Sequence, residues 1–180
     1  MLKNDTVIKK EILDRVEKRA YEFENNYASC AQCTLAAIQE VFGLEDNVLS
    51  KASSLLSGGV GRMYSTCGAL TGAVLALGMK YGRDPSVLKK PLEEGQEIQL
   101  GQYEVATKLC KWFEREFGTM VCRELRRSFL RTEFRREVPW ENECLEELNS
   151  RKHCAEIVSK TARRAAAMLE NPNLSILDKV

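Results

Sequence analysis

Residues 5–23 run DTVIKKEILDRVEKRAYEF, with apolar side chains at Ile8, Ile12, Val16, Ala20 and Phe23. Spacings of three and four put these on one face of a helix and leave the Lys, Glu, Asp and Arg residues between them to solvent. Asp5 or Thr6 offers a side-chain oxygen to the free N–H groups at the start. Helical patterning continues down the chain. Further helices are expected over about 30–42, with Ser29 in front and Gly43 behind, and over about 46–56, stopping at Gly58-Gly59-Val60-Gly61. Others are expected over about 67–80, 98–117, 121–125, 141–149 and 151–169, with 83–95, which holds Pro85 and Pro91, as a connection. No convincing stretch alternates in the manner of a strand, and no internal repeat is visible. The expected fold class is all-α, a compact helical bundle forming one domain over residues 1–180.

Composition agrees with a packed domain: 180 residues, 44% hydrophobic and 29% charged. Lys and Arg number 27 against 26 Asp and Glu, a net charge of +1. That balance argues against a nucleic-acid binder, which needs a surplus of cations to neutralise phosphates. The longest apolar run, Cys67 to Met79, is broken by Gly68, Thr71, Gly72 and Gly78 and falls short of the ~20 residues of a membrane span. Residues 1–20 lack the layout of a secretory signal. A cytoplasmic chain without direct membrane insertion is expected.

Cysteine and histidine carry the chemical information. There are seven Cys, at 30, 33, 67, 110, 122, 144 and 154, and one His, His153. Seven cannot all pair within one chain, and a cytoplasmic chain keeps its thiols reduced. Metal binding, redox chemistry and plain burial are the available uses. A single His excludes HExxH and Cys2His2 sites. The one CxxC, Cys30-Ala31-Gln32-Cys33, opens an expected helix, where free N–H groups and the helix dipole favour a thiolate. Cys33 follows one turn later, near enough to resolve a disulfide at Cys30; simple burial of Cys33 is the competing reading. Thr34 stands where a c-type haem site needs His.

Cys67 has a similar setting, behind a glycine loop and ahead of a helix. It is expected to be the most reactive thiol, with a lowered pKa. Gly68 and Gly72, one turn apart, admit either a close-packed helix, the commoner use, or a flat ligand. The loop at 58–61 lacks the GxxxxGK[ST] of a P-loop and reads by default as flexible, with an anion nest as the alternative.

Basic residues cluster at Arg123, Arg126, Arg127, Arg131, Arg135 and Arg136, interleaved with Phe129 and Phe134 and diluted by Glu124, Glu133 and Glu137. A solvated helix face is the simplest reading, and an acidic or phosphate partner the alternative. Trp112 and Trp140 are expected in the core. Glu93-Glu94 and Glu146-Glu147 sit in charged stretches, and no acid–base role follows for them.

Ser29-Cys30-Ala31-Gln32, Cys67-Gly68-Ala69-Leu70-Thr71-Gly72, Cys122 and Cys154 carry a resemblance over roughly residues 28 to 160. In their order and spacing they resemble the C_GCAxxG_C_C family of redox-active proteins, whose pattern is four widely spaced Cys with the second in CGAxxG. The resemblance implies a redox role for Cys30, Cys67, Cys122 and Cys154, with Gly68, Ala69 and Gly72 around the second. It says nothing of Cys33, Cys110 or Cys144. Family members are often encoded near transporters, which implies a membrane transport system as context for an unidentified redox partner. A related domain occurs in a split-Soret haem protein, whose CxxCH is missing here.

Three uses of the four thiols stay open at this point. They could cycle between thiol and disulfide, as in a thiol-based oxidoreductase. They could ligate zinc or an iron–sulfur cluster, although ligands spread over separate helices are less typical of structural zinc. Or they could be buried cysteines of a helical interaction module. The first two require the four sulfurs to share one neighbourhood.

Overall fold

The computed structural model describes residues 2–131, 135 and 138–175, with side chains from Lys9 onward. Among the described residues there are eight α-helices: α1 (Leu2–Tyr27), α2 (Cys30–Phe42), α3 (Asn47–Ser53), α4 (Gly68–Tyr81), α5 (Leu92–Phe117), α6 (Cys122–Leu130), α7 (Pro139–Glu147) and α8 (Ser150–Glu170). Short 3-10 turns cover Ser54–Leu56 and Pro85–Lys89. The described residues contain no strand, only an isolated antiparallel bridge between Thr66 and Val121. The fold is all-α. No described helix is long and apolar enough to cross a membrane.

The stripe read in residues 5–23 meets a partner. Val16 and Ala20 are fully buried where α1 packs along α8, with Ile12 and Phe23 half-buried beside them. The side chain of Ile8 lies outside the described residues. Helix α2 sits among α1, α4 and α8 and contributes Leu35, Ala37 and Ile38 to the core. α4 adds Leu70, Ala73 and Leu77, α5 adds Leu109 and Phe113, and α8 adds Val158, Ala162, Ala165, Met168 and Leu169. Each large aliphatic or Phe side chain in that list contributes roughly 1.5–3 kcal/mol by leaving water. The many alanines bring the helix backbones close. At the far end, Lys80 Nζ and Tyr81 Oη donate to the carbonyl of Leu169 at 2.6 and 2.8 Å. They satisfy the last turn of α8, whose carbonyls have no partners within the helix.

Three departures from the sequence reading have local causes. Residues 83–95 are not a plain connection. Asp84 accepts the Ser86 N–H at 2.8 Å and starts a 3-10 turn with Pro85 at its first position, and α5 begins at Leu92 behind Pro91. Glu93 and Glu94 lie in the first turn of α5, where the helix dipole favours carboxylates. Second, α6 runs on to Leu130 and so takes Arg123, Arg126 and Arg127 onto a helix. Arg135 pairs with Glu141 at 2.9 Å, while Glu133, Phe134, Arg136 and Glu137 lie outside the described residues. Third, Trp112 joins Phe113 and Phe117 in an aromatic group as expected, but Trp140 is exposed. Trp140 occupies the first turn of the short helix α7, whose buried residues are Glu141 and Leu145.

Candidate functional site

Three of the four cysteines singled out above begin helices. Cys30 is the first residue of α2, Cys67 is the capping residue in front of α4, and Cys122 is the first residue of α6. Cys154 lies near the start of α8. Their charges act on one another. Cys67 feels Cys30, Cys122 and Cys154; Cys154 feels Cys30 and Cys122; Cys30 feels Cys122. Four distant segments therefore gather their sulfurs in one neighbourhood, with every pair of the four interacting.

The glycines of α4 make this approach possible. A Cβ on Gly68 would stand 2.3 Å from the Cys30 sulfur, and one on Gly72 would stand 2.2 Å from the Ala31 carbonyl oxygen. Both distances lie far inside van der Waals contact. The two glycines serve helix packing, with α4 crossing the first turn of α2, and a flat ligand has no room on that face.

The glycine loop is a tight, hydrogen-bonded turn. Gly58, Gly59, Val60, Gly61 and Arg62 all have positive φ, from 59 to 71°. Such a run suits glycine and strains β-branched Val60. Hydrogen bonds hold it: Val60 N–H to Leu56 at 3.0 Å, Gly61 N–H to Leu55 at 2.8 Å, and Ser65 N–H to Gly59 at 3.0 Å. Its far end is stitched to the start of α6, through Cys67 N–H to Met120 at 2.8 Å and Cys122 N–H to Ser65 at 2.6 Å. The loop thereby fixes Cys67 against Cys122. It also aims the Gly58 N–H and the Ser57 hydroxyl at the Cys30 sulfur. Ser57 Oγ accepts the Ala31 N–H at 3.2 Å and lies 3.0 Å from Ser29 Oγ, which fixes its position.

Burial dominates the electrostatics. It pushes the Cys30 thiol up to about 11, helped by the charge of Glu24 and opposed by the Gly58 N–H. Cys154 is pushed up to about 12, again by burial first and then by Glu24. Cys67 is raised well above its ordinary value by burial and by the neighbouring cysteines. Burial also raises Cys122, against the pull of Arg126. The expectation that Cys67 has a lowered pKa is therefore wrong. A helix N-terminus favours a thiolate only where solvent or a counter-charge completes its stabilisation, and Cys67 is 7% exposed.

A cleft of about 880 Å³ opens on the group. Cys30, Cys122 and Cys154 line it and Cys67 does not. Ser57, Gly58, Tyr64, Arg126 and Glu24 complete the inner wall, and Glu146, Arg151 and Arg62 lie around them. The Arg126 guanidinium stacks on the Tyr64 ring at 4.6 Å and lowers the thiols of Cys122 and Cys154, so one member of the basic cluster faces the site rather than solvent.

Glu24 went unremarked in the sequence. It is 5% exposed and accepts the Ser29 N–H at 2.9 Å. A signal was present: Val16, Ala20 and Glu24 are four apart, so the acid continues the buried stripe of α1. Cys33 also joins this corner. It is buried, and its side chain is hydrogen-bonded to Glu24. Cys110 and Cys144, on α5 and α7, are half-buried and do not line the cleft. His153 stacks on Phe129, with centroids 4.7 Å apart.

The cysteines do not suit a metal as they stand. Among the described residues, no three of His, Cys, Asp or Glu come together at a spacing that holds a metal ion.

Comparison with known proteins agrees with the sequence resemblance. Residues 28–168 match the model of the family described as putative redox-active protein (C_GCAxxG_C_C). No curated protein and no solved structure matches the chain. The matched span begins just before Cys30 and closes after Cys154, so it encloses the whole thiol group and the loop that orders it. The chain belongs to the C_GCAxxG_C_C family.

Proposed function

We propose that this protein is a thiol–disulfide oxidoreductase that works through the cysteines around the cleft, with Cys30 as the attacking thiol. The observation that carries this reading is the gathering of Cys30, Cys67, Cys122 and Cys154 from four separate segments beside a cleft that Cys30 lines. Cys30 lines the cleft, and the Gly58 N–H and Ser57 hydroxyl point at its sulfur. Those donors stabilise the thiolate when the thiol ionises. Cys67 has the same helix-start setting without the access.

In the proposed exchange, the Cys30 thiolate attacks one sulfur of a substrate disulfide. The substrate S–S bond breaks, a mixed disulfide forms at Cys30, and one substrate thiolate leaves and takes a proton from water. A second protein thiol then attacks Cys30 and releases the other half. Two electrons pass from two protein thiols to the substrate disulfide. An external dithiol returns the protein to its reduced form.

Labelling of the fully reduced, metal-free protein with a limiting symmetric aromatic disulfide tests this reading. After quenching with maleimide, peptide mapping is expected to find Cys30 modified at least tenfold faster than Cys67. Modification confined to Cys110 and Cys144, with Cys30 untouched, would overturn it.

A further inference from the structure

The proposed exchange needs a second protein thiol, and the family pattern offers three besides Cys30. The geometry points to a fourth: we propose that Cys33, outside that pattern, is the thiol that resolves the mixed disulfide at Cys30, and that Glu24 takes its proton. This rests on the reading of Cys30 as the attacking thiol.

Cys30 and Cys33 occupy the first turn of α2, where the Cys33 N–H donates to the Ser29 carbonyl at 2.7 Å. Helix geometry sets their Cα atoms about 5 Å apart, inside the roughly 4.4–6.8 Å that a disulfide spans. The pair can therefore close without moving a helix, at the fraying end of one. Cys67, Cys122 and Cys154 stand on other segments.

Glu24 sits at this turn for a stated reason. The Ser29 N–H, 2.9 Å away, ties its carboxylate to the entry of α2, and the Cys33 thiol donates to it. A carboxylate is rarely buried to 5% exposure in a core helix, and this one faces a thiol there. Its charge also bears on Cys30 and Cys154, so it lies within the thiol group and not merely beside it.

The resolving step balances within the chain. The Cys33 proton passes to the Glu24 carboxylate as the Cys33 sulfur attacks the Cys30 sulfur. The Cys30–Cys33 bond forms, and the bond from Cys30 to the substrate sulfur breaks. The departing substrate thiolate takes the proton from the Glu24 carboxylic acid. Burial holds Cys33 as the thiol until that moment, pushed up to about 12 with help from Glu24. A resolving thiol held protonated does not compete with Cys30 for the substrate.

The test uses the full chain with Cys110→Ser and Cys144→Ser as background, and a symmetric aromatic disulfide whose released thiolate is coloured. Wild-type Cys33 is expected to give two releases at Cys30, the second after the first. With Cys33→Ser the first release persists and the second is lost, leaving a mixed disulfide at Cys30 that peptide mapping finds. With Glu24→Gln the second release slows on the order of 100-fold, in the range that a lost general base costs. Glu24→Asp, which keeps a carboxylate, recovers at least a tenth of the rate; a merely structural role would not discriminate between the two. Two releases at the unaltered rate in Cys33→Ser, or an unaltered second release in Glu24→Gln, would overturn the proposal. Failure of Cys30 to take up the first group would instead overturn the reading on which it rests.

Discussion

At the scale of single residues, the site is governed by burial against hydrogen bonding. Three helix starts aim at the sulfurs, yet burial holds the thiols protonated. A stability prediction follows with a definite sign. Above pH about 8.5 the unfolded chain ionises its cysteines. The folded chain keeps Cys30, Cys33 and Cys154 protonated until about 11, 12 and 12. Between those limits the native state binds more protons than the unfolded one, so stability is fully present below pH 8.5 and is lost as pH rises. The limiting slope is about 1.4 kcal/mol per pH unit for each thiol. Urea midpoints at pH 7.5, 9 and 10 are expected to fall in series, and to fall less in a Cys33→Ala, Cys154→Ala variant. A midpoint that rises with pH, or the same slope in the variant, would count against this electrostatic picture. Cysteine identity and the helix-start setting were legible in the sequence because both are local. The protonation state was not, since burial depends on what other segments cover, and Cys67 was misjudged for that reason.

At the scale of elements, the packing of α4 on α2 fixes where the sulfurs meet. Gly72→Ala would drive a methyl into the Ala31 carbonyl, a backbone atom that cannot turn aside. A loss of roughly 2–3 kcal/mol is expected, in the range of overpacked cores. Gly78, on the exposed side of the same helix, has nothing within 4 Å of an added Cβ. Gly78→Ala is therefore expected to raise stability by about 0.5–1 kcal/mol through helix propensity and unfolded-state entropy. Thermal unfolding of the two variants checks both signs. If they behave alike, the contact of α4 with α2 is not the reason for Gly72. The helices themselves were legible from apolar spacing and Gly or Ser punctuation. Their ends were less so: Pro91 reads as a breaker but stands just ahead of α5, because a proline lacks only an N–H that the first helical turn leaves free.

At the scale of the whole molecule, one chain folds so that Cys30, Cys122 and Cys154 meet at a cleft with Cys67 buried behind them, while Cys110 and Cys144 stand apart from it. That division matches the family pattern, which the sequence carried in the order and spacing of its cysteines. The partners supplied by the fold were harder to see. Ser57 and Arg126 carry no sequence mark of their role, and Glu24 shows only as an acid on an apolar line. The central claim is that this cleft performs reversible thiol–disulfide chemistry. Equilibrating metal-free protein in a series of dithiothreitol redox buffers, and counting maleimide-accessible thiols by mass after denaturation, tests it most directly. The account predicts one reversible transition that consumes two thiols, with Cys30 as one and neither Cys110 nor Cys144 as the other. Seven thiols retained across the whole series, or a transition that maps to Cys110 and Cys144, would contradict it.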